Sequence, residues 1–159
     1  MRRGLVRELV DDSSVSDDDV VYRRADWDKI GGRTRTAPGQ TAKISPNFFT
    51  DYPKEAAELH GYPDPCMSVG LHSMIQRLGY GPEVMLEEFP DYGLLMVHVG
   101  DLRQLMRGSG APCAQGVLAS PTEDEPWHGV VFDLESRPRR DPAKKAIAKV
   151  ACWVIPLIG

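Results

Sequence analysis

Gly116-Val117-Leu118-Ala119-Ser120-Pro121-Thr122-Glu123-Asp124-Glu125-Pro126-Trp127-His128-Gly129-Val130-Val131-Phe132-Asp133-Leu134 holds two apolar runs of strand length around an acidic segment bounded by prolines. Gly116 to Ser120 and Gly129 to Leu134 therefore read as two strands, with the segment between them as a loop. His128 stands at the mouth of the second strand. An imidazole there suits either chemistry or the capping of a sheet edge.

Outward from this stretch, Val20-Val21-Tyr22-Arg23-Arg24 predicts a first strand, and Gly93 to Val99 is an apolar run suited to the interior of a sheet. Ala42 to Ser45 and Asn47 to Phe49 read as extended segments interrupted by Pro46. Pro53 to His60 suits a short helix closed by Gly61 and Pro63. Met67, Leu71, Met74, Ile75 and Leu78 recur at helical spacing with Gly79 as the residue after the helix, although Cys66 to Val69 also fits a short strand. Pro82 to Phe89 begins as helices do. Asp101 to Met106 predicts another short helix, with Asp101 as its cap. Asp141-Pro142 opens a last helix with Ala146, Ile147, Val150 and Ala151 as its apolar stripe. Trp153 to Leu157 follows as an edge strand, because Pro156 lacks a donor. The expected fold is one α+β domain over residues 20–159, with a mixed, mainly antiparallel sheet of about five or six strands and several short helices. Residues 1–19 are expected to be an N-terminal segment, helical over 1–10, followed by an acidic linker from Asp11 to Asp19 that repels itself and buries nothing.

The chain has 159 residues, 42% hydrophobic and 26% charged, in keeping with an ordinary globular protein of one domain. A net charge of −4 argues against a dedicated nucleic-acid binder. Cys66, Cys113 and Cys152 form no C-x-x-C pair and are odd in number, so no disulfide framework is expected. No apolar run approaches the roughly 18 residues that span a bilayer, and the start has no signal-peptide core. A soluble, cytoplasmic protein is expected.

Three groups of residues could carry chemistry. Cys66 follows Asp64-Pro65 at the head of a predicted helix, where the dipole favours a thiolate, and His128 could serve as its base; a buried free cysteine that packs is the simpler reading. Arg23, Arg24, Arg33 and Arg35, with Ser45, Asn47 and Tyr52, suit pyrophosphate and ribose recognition in an NAD-cleaving site, or simply a solvated arginine cluster. Arg137, Arg139, Arg140, Lys144 and Lys145 read as a basic, solvated face able to dock an anion. His60, Cys66 and His72 are spaced too widely for a metal motif, so no metal or cofactor is expected. His98 reads as a core histidine.

Tyr22-Arg23-Arg24, Ser45-Pro46-Asn47-Phe48-Phe49-Thr50-Asp51, Met67-Ser68-Val69, Asp91-Tyr92-Gly93-Leu94, Pro121 to Val131, and Ala148 to Val154 together resemble blocks of a group of uncharacterised bacterial proteins common in actinobacteria. The resemblance implies no activity. It places Cys66 outside the shared pattern and leaves Arg23, Ser45, Ser68 and His128 as positions to watch.

The leading expectation is a module that binds a protein partner or a nucleotide-like small molecule in a polar cleft near His128, with Arg23, Arg24, Ser45 and Ser68 as binding residues. The alternatives are an enzyme that cleaves NAD or transfers ADP-ribose through Arg23, Ser45 and His128, and a thiol hydrolase using Cys66 and His128.

Overall fold

The computed structural model describes residues 8–30 and 36–159. Among the described residues six strands form one antiparallel sheet: β1 (Val20–Ala25), β2 (Met67–Leu71), β3 (Gly93–His98), β4 (Gln115–Ala119), β5 (His128–Asp133) and β6 (Cys152–Ile155). Their spatial order is β4-β5-β2-β1-β3-β6, which leaves β4 and β6 at the edges. Among the described residues, four short α-helices, α1 (Lys54–Leu59), α2 (His72–Arg77), α3 (Val99–Arg103) and α4 (Asp141–Val150), and 3-10 turns at Asp28–Ile30, Pro46–Phe49 and Pro82–Leu86 accompany the sheet in an α+β fold. Among the described residues no helix is long and apolar enough to cross a membrane.

Both faces of the sheet are covered. On one face, Val21, Ala25, Met67, Val69, Leu95, Val97, Val117 and Val131 pack against Phe48, Phe49, Leu102, Ala143 and Ile147. On the other, Tyr22 and Leu94 meet Ile75, Val84, Met85 and Trp127, while Val130 and Phe132 meet Ala57, Tyr62 and Cys66. β5 is buried along its whole length, as its unbroken apolar run requires of a strand covered on both sides.

Local chemistry sets the helix ends. Gly79 follows α2 with φ +83°, donates to Gln76 and lets Tyr80 donate to Ile75, which satisfies two terminal carbonyls. Gly61 plays the same part after α1, with φ +85°, and the Tyr62 amide beyond it donates to Ala57. Tyr62 is thereby brought beneath the sheet, 3% exposed.

Several local expectations are corrected. Asn47–Phe49 is a 3-10 turn rather than extended chain, because Ser45 Oγ accepts from the Asn47 amide and Pro46 presets the first turn. The chain from Met67 to Leu71 is a strand, so Cys66 precedes β2 and does not head a helix. α3 starts at Val99, ahead of Asp101, and Arg140 rather than Asp141 occupies the cap position of α4. His98 ends β3 exposed, not in the core. The expected N-terminal helix falls mostly outside the described residues, and residues 8–10 have no regular structure.

The acidic segment is not a free linker. Arg103 gathers it: Nε lies 3.2 Å from Asp11, Nη1 lies 2.7 Å from Asp17, and Nη2 donates to the Asp12 carbonyl. Val15 is 5% exposed and joins the core. Asp19 accepts the Ser73 amide and hydroxyl at the start of α2, while the Asp17 and Asp19 carbonyls take the Gly100 and Val99 amides that open α3. Asp11 Oδ1 accepts the Val117 amide, Asp12 Oδ2 accepts the Ala119 amide, and the Asp12 amide donates to the Val117 carbonyl, all on β4. Like charges tolerate this proximity because a cation and backbone donors face them.

Candidate functional site

β1 and β2 pair only at Val21–Leu71 and Tyr22–Gly70. Beyond Tyr22, β1 continues to pair with β3 as far as Ala25, while β2 stays with β5. The two central strands therefore part, and the side chain of Arg23 fills the opening. Its Nη1 donates to the Ser68 carbonyl at 2.8 Å, Nε to Phe48 at 3.0 Å and Nη2 to Thr50 at 3.2 Å. Burial lowers its pKa to about 10, and among the described residues no carboxylate forms an ion pair with it.

A cavity of about 520 Å³ lies at this parting, lined by Arg23, Arg24, Asp26, Lys29, Tyr52, Ser68, Phe89 and Tyr92 among others. Arg24 donates to the Met85 carbonyl at 2.5 Å, pairs with Glu125 at 3.2 Å and lies 4.6 Å over the Phe89 ring. Burial lowers Lys29 to about 8, helped by the positive charges of Arg23 and Arg24. The two carboxylates of the wall are engaged elsewhere. Asp51 pairs with buried Arg139, and Asp26 accepts the Lys29 amide and bonds Tyr92.

His128 stands behind Ser68. Antiparallel register sets Gly70 opposite His128 and Ser68 opposite Val130, so the serine and histidine share one face as diagonal neighbours. Gly70 between them leaves room for Met85: a Cβ at that position would lie 2.3 Å from Met85 Sδ. Ser68 Oγ is 2.8 Å from His128 Nε2, and His128 Nδ1 is 2.9 Å from the Ser120 carbonyl. A carbonyl only accepts, so the proton sits on Nδ1 and Nε2 accepts from the Ser68 hydroxyl. Tyr62 Oη lies 2.6 Å from Ser120 Oγ, which ties the ring's anchor to α1. Burial holds the imidazole below its ordinary value of 6.5.

The sequence-predicted residues are thus brought together in part. Arg23, Arg24 and Ser68 line one cavity, and Arg23 and His128 meet at Ser68, one at its carbonyl and the other at its hydroxyl. Ser45 caps the Pro46–Phe49 turn and is not part of the lining. Cys66 is fully buried among Leu9, Ala57, Tyr62, Val130 and Phe132, and burial pushes its thiol up to about 12. Such a thiol is neutral at physiological pH, and both ring nitrogens of His128 face other partners. Arg33 and Arg35 lie outside the described residues. His60 stacks on Tyr52 and His72 bonds Tyr22, and among the described residues no group of His, Cys, Asp or Glu is arranged to hold a metal.

The basic face is corrected in part, since Arg140 and Lys145 are exposed but Arg139 and Arg137 are engaged within the fold. Arg139 is 3% exposed, with Nη1 on Asp51 at 2.5 Å and Nε on Gln115 at 2.7 Å, while Arg137 pairs with Asp64. Lys29, Asp26 and Phe89 are not among the residues the sequence marks for a site, and Tyr92 enters it only through the Asp91–Leu94 block.

The chain matches no protein-family model, and no curated protein or solved structure is significantly similar to it. The chemistry of the site is therefore read from its geometry.

Proposed function

We propose that this protein binds a small anionic ligand with an aromatic part, such as a mononucleotide, in the cavity between β1 and β2. The observation that carries this reading is the charge balance of the wall. Arg23, Arg24 and Lys29 line it; Arg24 is paired with Glu125, Asp51 with Arg139 and Asp26 with local donors, so among the described residues Arg23 and Lys29 have no carboxylate in an ion pair. A phosphate or carboxylate would offset the burial that depresses Lys29 and the repulsion from Arg23 and Arg24 that adds to it. Tyr52, Phe89 and Tyr92 give the wall an aromatic lining for a planar ring to pack against. A concave site with a few convergent polar groups among apolar ones is the usual form of a small-molecule pocket.

Titration calorimetry with adenosine monophosphate, adenosine and inorganic phosphate tests the reading. The monophosphate is expected to bind in the micromolar range, adenosine much more weakly, and Lys29→Met to lose most of the affinity. Near pH 8 binding should take up protons, because an anion raises the Lys29 pKa; heats measured in two buffers of different ionisation enthalpy show this. No heat from any phosphate or carboxylate at millimolar concentration overturns it.

A further inference from the structure

We infer that Ser68 is a nucleophile activated by His128, and that the cavity serves to hydrolyse a carboxylic ester bearing a phosphate or carboxylate. The substrate's charge rests on the anion-binding reading above; the nucleophile does not. Three observations carry it. Ser68 Oγ and His128 Nε2 are 2.8 Å apart, within the reach that general-base activation needs. The Ser120 carbonyl fixes the one tautomer in which Nε2 is the base, taking the orienting position that a carboxylate holds in many serine hydrolases. Ser68 is only partly buried and belongs to the cavity wall, whereas its base is shielded behind it at 6% exposure. A serine–histidine bond sealed inside a core would be structural; this one opens on a cavity. Burial also keeps His128 in its neutral, basic form at pH 7.

In the first half-reaction Ser68 Oγ adds to the ester carbonyl carbon as its proton passes to Nε2. The intermediate collapses, the ester C–O bond breaks, and the leaving alcohol takes that proton. Positive charge from Arg23, Arg24 and Lys29 in the same wall favours the oxyanion. Water then adds to the acyl-serine, again giving a proton to Nε2. Collapse breaks the Oγ–acyl bond and returns the proton to Oγ. Ester and water become acid and alcohol, with no oxidant or reductant involved.

The test treats the full chain with a fluorophosphonate probe and maps the adduct by mass spectrometry. One adduct on Ser68 is expected. His128→Asn, with an unchanged far-UV circular dichroism spectrum, should slow it by about a hundredfold or more. Wild-type protein left unmodified at Ser68 overturns the proposal even if the variant does not fold. So does equal labelling of wild type and a folded His128→Asn. Adenosine monophosphate titration of the same samples separates the two readings: binding without labelling removes only the nucleophile, and labelling without binding removes only the anionic substrate.

Discussion

Arg23 completes the hydrogen bonding of Ser68 where the two central strands part, its Nη1 donating to the Ser68 carbonyl at 2.8 Å. An arginine does what a neighbouring strand would otherwise do, and the sheet gains a cavity where a ladder would have closed it. Replacing Arg23 by methionine leaves three carbonyls without that donor. Loss of charge-assisted bonds to the part-buried Phe48 and Ser68 carbonyls and the exposed Thr50 carbonyl is expected to cost about 2–3 kcal/mol. Arg23→Lys should recover little, because an ammonium cannot match the planar fork. Urea unfolding of both variants measures this, and a loss below about 0.5 kcal/mol would contradict the role assigned to the guanidinium.

The Arg139–Asp51 pair makes a second, independent expectation. Both side chains are essentially inaccessible, and Asp51 Oδ2 also accepts the Arg139 amide. Asp51→Ala strands a buried guanidinium and should destabilise the fold by about 3–5 kcal/mol. The double variant Asp51→Leu with Arg139→Met should lose markedly less than the sum of the single losses. Additive losses in a double-mutant cycle would show that the pair is not coupled.

The cysteines should differ in reactivity. Cys152 is exposed, whereas Cys66 and Cys113 are buried, with both buried thiols shifted upward by desolvation. Iodoacetamide at pH 8 is expected to alkylate Cys152 alone in the native protein, and all three in urea. Rapid native labelling of Cys66 would restore the thiol-hydrolase alternative.

Acid should weaken the fold through His128. Desolvation lowers its folded pKa despite the Ser120 carbonyl and Glu125, which oppose the shift, while His60 and Arg24 add to it. The unfolded chain therefore takes up its proton near 6.5, before the folded chain does. Stability is full above about pH 7 and falls as pH drops from about 6.5 toward the lower folded pKa. Differential scanning calorimetry from pH 7.5 to 5 should show a steeper fall in Tm for wild type than for His128→Gln. Parallel slopes would exclude this group as a source of acid sensitivity.

The sequence carries the parts of the fold that depend on neighbours along the chain. The apolar runs at 93–98 and 128–133 and the Pro142 start of α4 announce their elements locally. The Ser45-Pro46 start of a 3-10 turn was equally local, but β-rich neighbours masked it. Distant partners were out of reach. Asp11 and Asp17 are drawn together by an arginine about 90 residues away, so local repulsion gave the wrong sign for the whole segment. Arg139 looked solvated because Asp51 lies 88 residues before it. The sequence places Ser68 and His128 in one cleft, yet their hydrogen bond depends on the register of β2 against β5. Of the expected site, Arg23, Arg24 and Ser68 meet; Ser45 and Cys66 are held by capping and by apolar packing.

Asp11 and Asp12 hold the outward amides of Val117 and Ala119 on the rim of the sheet. A foreign strand approaching that rim finds its docking points already taken, and meets negative charge besides. Lateral growth into ribbons or fibrils would first have to evict two carboxylates, so a segment that looks like surplus acid protects the molecule from polymerising through β4.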